Sequence, residues 1–390
     1  MTGHFTTSIE FQMSLLLFVS LAGYLLATRI HQSAVIGEIL VGLIIGPSML
    51  GWITYTNFVQ SVAHLGAIIL LFVVGLEFKI RDIFNIRYGI IALVGVIIPW
   101  IGGYLVTTAF GFSQENAIFT GTALTATSIA ITANVLREMG QLQTEAAKAI
   151  IGAAVIDDVL SLLALSFSEQ MVTGDFSFAS VGFPVLKAGG FIVAAIYFGT
   201  HLCRFVERLD RTSISQKFPE FVFIFVMMIA FLYAMFAEML GLSSIVGAFI
   251  AGISLEGAVI RNGKDYKHGA EYLHIIFASI FFVSLGILVD THVLTSQVIL
   301  FLISLTVVAI LTKVIGCFIP ARMQGMSFRD SAVIGFGMSP RGEVAMIVGL
   351  IGLNQKLITQ EIYAAIIFMS LITTIVTPLV LRQWFYPAQK

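Results

Sequence analysis

Two adjacent aspartates, Asp157 and Asp158, sit in the middle of an apolar run from about Ala146 to Met171. The run is long enough to cross a bilayer, since about 20 apolar residues span a hydrocarbon core of about 30 Å. A carboxylate at that depth is costly, and where one occurs it usually marks an ion or proton path. Neighbours on a helix point about 100° apart, so the two carboxylates cannot share a face. One is free to turn to a fixed partner while the other faces a cavity. A chain with this stretch must fold into a bundle that supplies both.

The composition supports such a bundle. Hydrophobic residues make up 58% of the 390 and charged residues only 11%, with a mean hydropathy of +0.98. A soluble domain carries about 25% charged residues. The expected class is an all-α polytopic membrane protein. The net charge of −1 says nothing about partners, and no basic tail offers a footprint for nucleic acid. Cys203 and Cys317 have no metal or redox spacing and read as small buried side chains. The seven histidines show no ligand spacing; His64, His268, His274 and His292 read as interfacial or loop residues. The first apolar run, about Phe11 to Ala27, follows no basic stretch and reads as a retained span, not a cleaved signal.

Thirteen spans are expected, at about 9–28, 34–51, 58–77, 88–110, 116–137, 146–171, 182–204, 219–240, 242–257, 271–290, 295–319, 329–353 and 359–383. Of the 21 lysines and arginines, 17 follow odd-numbered spans and only Lys187 and Lys356 follow even-numbered ones. Basic residues stay on the cytoplasmic side. The bias therefore predicts an outside N-terminus and a cytoplasmic C-terminus in a cell membrane.

The chain also repeats itself. Ser33-Ala-Val-Ile-Gly37-Glu-Ile-Leu-Val-Gly42 echoes Ser243-Ser-Ile-Val-Gly247-Ala-Phe-Ile-Ala-Gly252, and Leu71-Phe-Val-Val-Gly75-Leu76 echoes Phe282-Val-Ser-Leu-Gly286-Ile287. The offset of about 210 residues is seven spans, so the second copy is inverted in the membrane. Spans 1–6 match 8–13, with span 7 as linker. Inverted repeats are typical of secondary transporters, with the site at the midplane where broken helices meet.

Two spans look broken. Span 5 reads Gly121-Thr-Ala-Leu-Thr125-Ala-Thr127-Ser128-Ile-Ala-Ile-Thr132. Its clustered hydroxyls weaken a helix and offer oxygens to a hard cation, or else bond back to their own helix. Its repeat mate, span 12, reads Gly335-Phe-Gly-Met-Ser339-Pro340-Arg341-Gly342-Glu343. Proline and glycine break the ladder there, and Arg341 and Glu343 either pair with each other or neutralise exposed helix ends. Lys313 is a lone cation deep in span 11, and one of the two aspartates is its natural partner. Glu38, and the interfacial Glu77 and Glu238, receive no role.

Gly152-Ala-Ala-Val-Ile-Asp157-Asp158, the span 5 hydroxyl run, Ser339-Pro-Arg-Gly-Glu343 and Val35-Ile-Gly-Glu-Ile-Leu-Val-Gly-Leu-Ile-Ile-Gly-Pro47 together resemble the NapA-type sodium/proton antiporters, of the second monovalent cation/proton antiporter family. The resemblance covers essentially the whole chain. It implies 13 transmembrane helices in an inverted-topology repeat with two crossing broken helices, and a homodimer in membrane lipid. It further implies a dimerisation domain at 1–87 and 217–290, a core ion-transport domain at 88–171 and 295–385, and a linker helix at 182–204. Asp158 becomes the Na⁺-binding carboxylate, Asp157 the partner of Lys313, and Thr127 and Ser128 neighbours of the ion. Retention of Asp157, Asp158 and Lys313 resembles the electrogenic Na⁺/H⁺ type. The soluble C-terminal domains of the KefC-like potassium members are not seen in the sequence.

The implied activity is exchange of cytoplasmic Na⁺ for external H⁺ by alternating access, with both ions competing for Asp158 and no cofactor beyond the transported ions. A K⁺/H⁺ antiporter on the same fold is the alternative, and Li⁺ is a further candidate substrate. An enzyme is not expected. An intramembrane aspartyl protease needs aspartates on two helices, whereas Asp157 and Asp158 share one. A channel needs a continuous polar pore, whereas the polar residues here cluster near one depth.

Overall fold

A computed structural model describes residues 8–83, 85–173, 178–258, 260, 266–289 and 296–387. Arg261, Lys264, His292 and Lys390 lie outside the described residues. Those described form helices and connecting turns, with no strand among them.

In chain order the helices of ten residues or more are α1 (Ile9–Arg29), α2 (Ala34–Ile45), α3 (Asn57–Gly75), α4 (Ile86–Ala109), α5 (Gln114–Ala123), α6 (Ile129–Glu138), α7 (Glu145–Thr173), α8 (Phe178–Asp210), α9 (Phe221–Met239), α10 (Ser244–Leu255), α11 (Tyr266–Ile287), α12 (Ser296–Met323), α13 (Phe328–Gly337), α14 (Glu343–Asn354) and α15 (Gln360–Val380). Hydroxyl caps start many of them. The side chains of Ser8, Thr56, Ser113, Ser327 and Thr359 each accept the amide three residues on, taking up one of the donors a helix start leaves unpaired.

Among the described residues, nine helices are long and apolar enough to cross a membrane. The 12-residue helices α2 and α10 are shorter, about 18 Å at 1.5 Å per residue. Length alone therefore does not fix the thirteen expected spans. The span expected at 34–51 is also too long as a helix. It stops at Ile45, because Pro47 disfavours helical backbone at Gly46, which is extended at ψ −176°.

The element order carries the expected repeat. A long helix, a short one, two long ones, a split pair and a long one make up α1–α7; the same order returns in α9–α15, with α8 between. One packed group contains α4, α5, α7, α12, α13 and α15, and a second contains α1, α2, α3, α9, α10 and α11. Helix α8 lies against α7, α9 and α10.

The repeated glycines sit where helices from opposite copies cross. A Cβ on Gly42 of α2 would collide with the Val283 carbonyl of α11, and one on Gly286 of α11 with the Ile39 carbonyl of α2. The mate crossing has the same form: Gly252 of α10 lies on the Phe72 carbonyl of α3, and Gly75 of α3 on the Phe249 carbonyl of α10. Close backbone approach through small residues is how helices pack without a hydrophobic driving force between them.

Candidate functional site

The site is built where two helices break. Helix α5 ends at Ala123, and just past it Thr125 Oγ1 takes up the Thr122 carbonyl at 2.7 Å, while Thr122 Oγ1 bonds back to the Ile118 carbonyl at 2.9 Å. Helix α13 ends in the same way, with Ser339 Oγ donating to the Phe336 carbonyl at 2.8 Å just before Pro340. The segments that follow cross each other. Ser128 N–H donates to the Pro340 carbonyl at 2.9 Å, Thr132 Oγ1 to the Gly337 carbonyl at 2.6 Å and Thr127 Oγ1 to the Met338 carbonyl at 3.3 Å. Gly342 admits this contact, since a Cβ there would lie 2.6 Å from Ser128 Oγ.

Each half-helix that ends here presents carbonyls, the negative end of its dipole. A cation meets each. Lys313 Nζ of α12 donates to the Thr125 carbonyl at 2.8 Å, just past α5. Arg341 has its guanidinium 3.5 Å from the Met338 carbonyl, just past α13, and 3.4 Å from the Ala309 carbonyl of α12. Both side chains are fully buried. The Arg341 backbone is held as well: its N–H donates to Thr373 Oγ1 at 3.1 Å and its carbonyl accepts Thr374 Oγ1 at 3.0 Å. Arg341 thus sits against a helix end. The side chain of Glu343 lies outside the described residues.

The two aspartates face different surroundings, as the 100° step between helix neighbours requires. Asp157 is buried, with Oδ1 2.8 Å from Lys313 Nζ. Its Oδ2 is buried without a hydrogen-bond partner among the described residues. Asp158 is half-buried and accepts the backbone N–H of Ser243 at 2.9 Å through Oδ2. It lines a cavity of about 510 Å³ with Ser161, one helical turn further on, and with Gln60, His64, Glu238 and Ser244. His64 and Glu238 are 47% and 66% exposed in their side chains, so the cavity connects Asp158 to solvent.

Thr127 and Ser128 are engaged at the crossing and do not line that cavity. Ser128 Oγ is nevertheless buried without a partner among the described residues, as is Ser161 Oγ. Sequence reasoning missed Ser161, although its i+3 spacing from Asp158 is a usable signal. It also missed Ser243, which acts through its backbone. A second cluster drew little notice in the sequence. Arg137 reaches Glu77 at 2.8 Å, His274 Nδ1 at 3.3 Å and Glu271 at 3.5 Å around a separate cavity of about 450 Å³.

Comparison with known proteins agrees with this architecture. Residues 15–385 match the family described as "Sodium/hydrogen exchanger, transmembrane". The Na(+)/H(+)-K(+) antiporter GerN of Bacillus cereus is 35% identical over 383 residues, covering 96% of each chain. A Na(+)/H(+) antiporter of Enterococcus hirae is 33% identical over 376 residues, covering 95% of this chain and 96% of its own. The sodium proton antiporter MjNhaP1 from Methanocaldococcus jannaschii shares the fold with a TM-score of 0.69 at 19% identity, covering 96% of each chain. The chain, with its paired half-helices and adjacent aspartates, belongs to the sodium/hydrogen exchanger family of transmembrane proteins.

Proposed function

We propose that the chain exchanges cytoplasmic Na⁺ for external H⁺ across the cell membrane by alternating access, with Asp158 as the carboxylate that carries either ion. The observation that carries this reading is the division of labour between neighbours. Asp157 is tied to Lys313 in the buried interior, while Asp158 faces a cavity that reaches solvent. A single carboxylate that holds Na⁺ or a proton, but not both, couples the two fluxes.

Buried oxygens of Asp157, Ser128 and Ser161 that have no partner among the described residues are available as further ligands for a hard cation. Thr127 holds the crossing beside them. Lys313 neutralises the break and carries the extra proton that makes exchange electrogenic. Arg341, with Glu343, compensates the second break.

The packed group around the breaks corresponds to a moving core domain at 88–171 and 295–385. The other group corresponds to a dimerisation domain at 1–87 and 217–290 in a homodimer, joined to the core by a linker helix at 182–204. The loops after even-numbered spans, poor in basic residues, are extracellular and the C-terminus is cytoplasmic. Asp158 then opens to the outside, because Gln60, His64 and Glu238 lie on that side.

The test is Na⁺-driven collapse of a pH gradient in proteoliposomes, wild type against Asp158→Asn, repeated with a clamped membrane potential. Activity lost in the variant supports the site, and full activity in the variant refutes it. Insensitivity to the imposed potential refutes electrogenic exchange. A second reading, K⁺/H⁺ exchange at the same carboxylate, is favoured by the printed name of the GerN relative, which includes K(+). A response to K⁺ in place of Na⁺ would establish it.

A further inference from the structure

The two short helices of the repeat share a feature that ion exchange alone does not require. Ser33 and Ser243 are repeat mates that cap α2 and α10. Each helix start holds a carboxylate from a helix adjoining a break. Ser33 Oγ donates to Glu138 Oε2 at 2.7 Å, and the Ala34 N–H reaches the same oxygen at 3.3 Å. Glu138 closes α6, the second half of a broken span. At the other helix, Ser243 N–H donates to Asp158 Oδ2 at 2.9 Å. The two contacts line separate cavities. A helix N-terminus favours a negative charge, and hydrogen bonds to ionised acceptors are the stronger ones.

The two carboxylates differ in one respect. Glu138 lines the other cavity, whereas Asp158 is the proposed ion ligand. We infer that the Ser243 backbone amide is a positioning group that holds the unloaded Asp158 carboxylate against α10, and that a bound cation displaces it. The inference rests on the reading of Asp158 as the ion ligand. A cation on Oδ2 takes the lone pairs that the amide uses and repels the positive end of the N–H bond. The empty carrier is therefore fastened across the boundary between α7 and α10, and the loaded carrier is released. This prevents the empty carrier from crossing, which is the step that would otherwise uncouple Na⁺ flux.

Side chain and amide have separate tasks at Ser243, because its hydroxyl accepts the Ile245 N–H at 3.3 Å. Substitution can separate them. Ser243 has φ −61°, close to the angle of about −65° that proline imposes, so Ser243→Pro removes the amide hydrogen with little backbone change. Ser243→Ala keeps it.

The first measurement needs no variant. Hydrogen exchange of the wild-type peptide containing Ser243 is followed at fixed pH in NaCl and in choline chloride, with Na⁺ binding read in parallel by calorimetry. The Ser243 amide is expected to exchange about tenfold faster when Na⁺ saturates, the factor for losing one charge-assisted hydrogen bond. Na⁺ binding with unchanged exchange overturns the latch and leaves the proposed function standing. No Na⁺ binding to the wild type overturns both.

The second measurement is downhill ²²Na⁺ efflux from proteoliposomes with no pH gradient. Ser243→Pro should leak about tenfold more than wild type, while Ser243→Ala should match wild type. Equal efflux from a Ser243→Pro protein that reconstitutes normally overturns the inference.

Discussion

Lys313 and Asp157 hold each other at 2.8 Å with side chains 0% and 1% exposed, and the same ammonium reaches the Thr125 carbonyl at 2.8 Å. One cation thus serves two negative groups: a carboxylate and the end of a half-helix. Breaking a buried pair by removing one partner costs about 3–5 kcal/mol, because the other charge is left uncompensated. Lys313→Met and Asp157→Asn should each lower the thermal midpoint in detergent, and Lys313→Met by more, since it strips both negative groups. The double variant should be less destabilised than the sum of the two. Additive losses would show that the pair is not coupled.

Asp158 is half-buried beside a cavity that reaches solvent, and an asparagine there keeps an oxygen to accept the Ser243 N–H. Its stability change should stay within about 1 kcal/mol, while exchange activity is lost. A large drop in midpoint with residual transport would reverse the roles given to Asp157 and Asp158.

The crossing offers a graded series. Thr132 Oγ1 lies 2.6 Å from the Gly337 carbonyl and Thr127 Oγ1 3.3 Å from the Met338 carbonyl. Thr132→Val should cost about 1–2 kcal/mol, and Thr127→Val less. Thermal unfolding of the two variants under one condition checks the order.

The interlocked glycines should tolerate no side chain. Gly286→Ala and Gly252→Ala force backbone apart at the α2–α11 and α3–α10 crossings, with an overpacking cost of about 1–3 kcal/mol. Folded yield by fluorescence-detected size exclusion should fall for both. Gly189→Ala, on a surface of α8 with nothing within 4 Å of the added carbon, should be neutral.

Arg137 bridges Glu77 and Glu271 with side chains 23%, 36% and 47% exposed. Exposed pairs are worth about 0–1 kcal/mol and weaken with salt. Arg137→Gln should therefore change stability by no more than about 1 kcal/mol, and by less at 1 M NaCl than at 0.1 M. A loss that grows with salt would mean that Arg137 acts through packing.

Much of this architecture is legible in the sequence because bilayer thickness sets span length and backbone crossings demand glycine. Gly42, Gly75, Gly252 and Gly286 mark the repeat and also the places where its two copies touch. The breaks are readable for a similar reason: Pro340 removes a donor, and Thr122 and Thr125 have hydroxyls that compete for carbonyls. What escapes the sequence is contact made by the main chain. Nothing in the letter for serine says that the Ser243 amide faces Asp158, or that Thr125 and Met338 present carbonyls to Lys313 and Arg341. The end of α2 is misjudged because apolar character continues past the point where Pro47 stops the helix. Ser128 and Thr127 show the limit of composition: both oxygens suit a cation, yet Thr127 Oγ1 is taken up by the Met338 carbonyl while Ser128 holds the crossing through its backbone N–H and leaves Oγ without a partner among the described residues.

The glycine crossings join α2 to α11 and α3 to α10, helices far apart in the chain. During synthesis the first copy enters the membrane well before its mates exist. Its glycine faces remain covered only by lipid until residues near Gly252 and Gly286 arrive. A chain that ends between α7 and α10 therefore leaves these glycine faces without their partner helices. The internal duplication has made each half the obligate scaffold of the other, and assembly of this carrier is a late, whole-chain event.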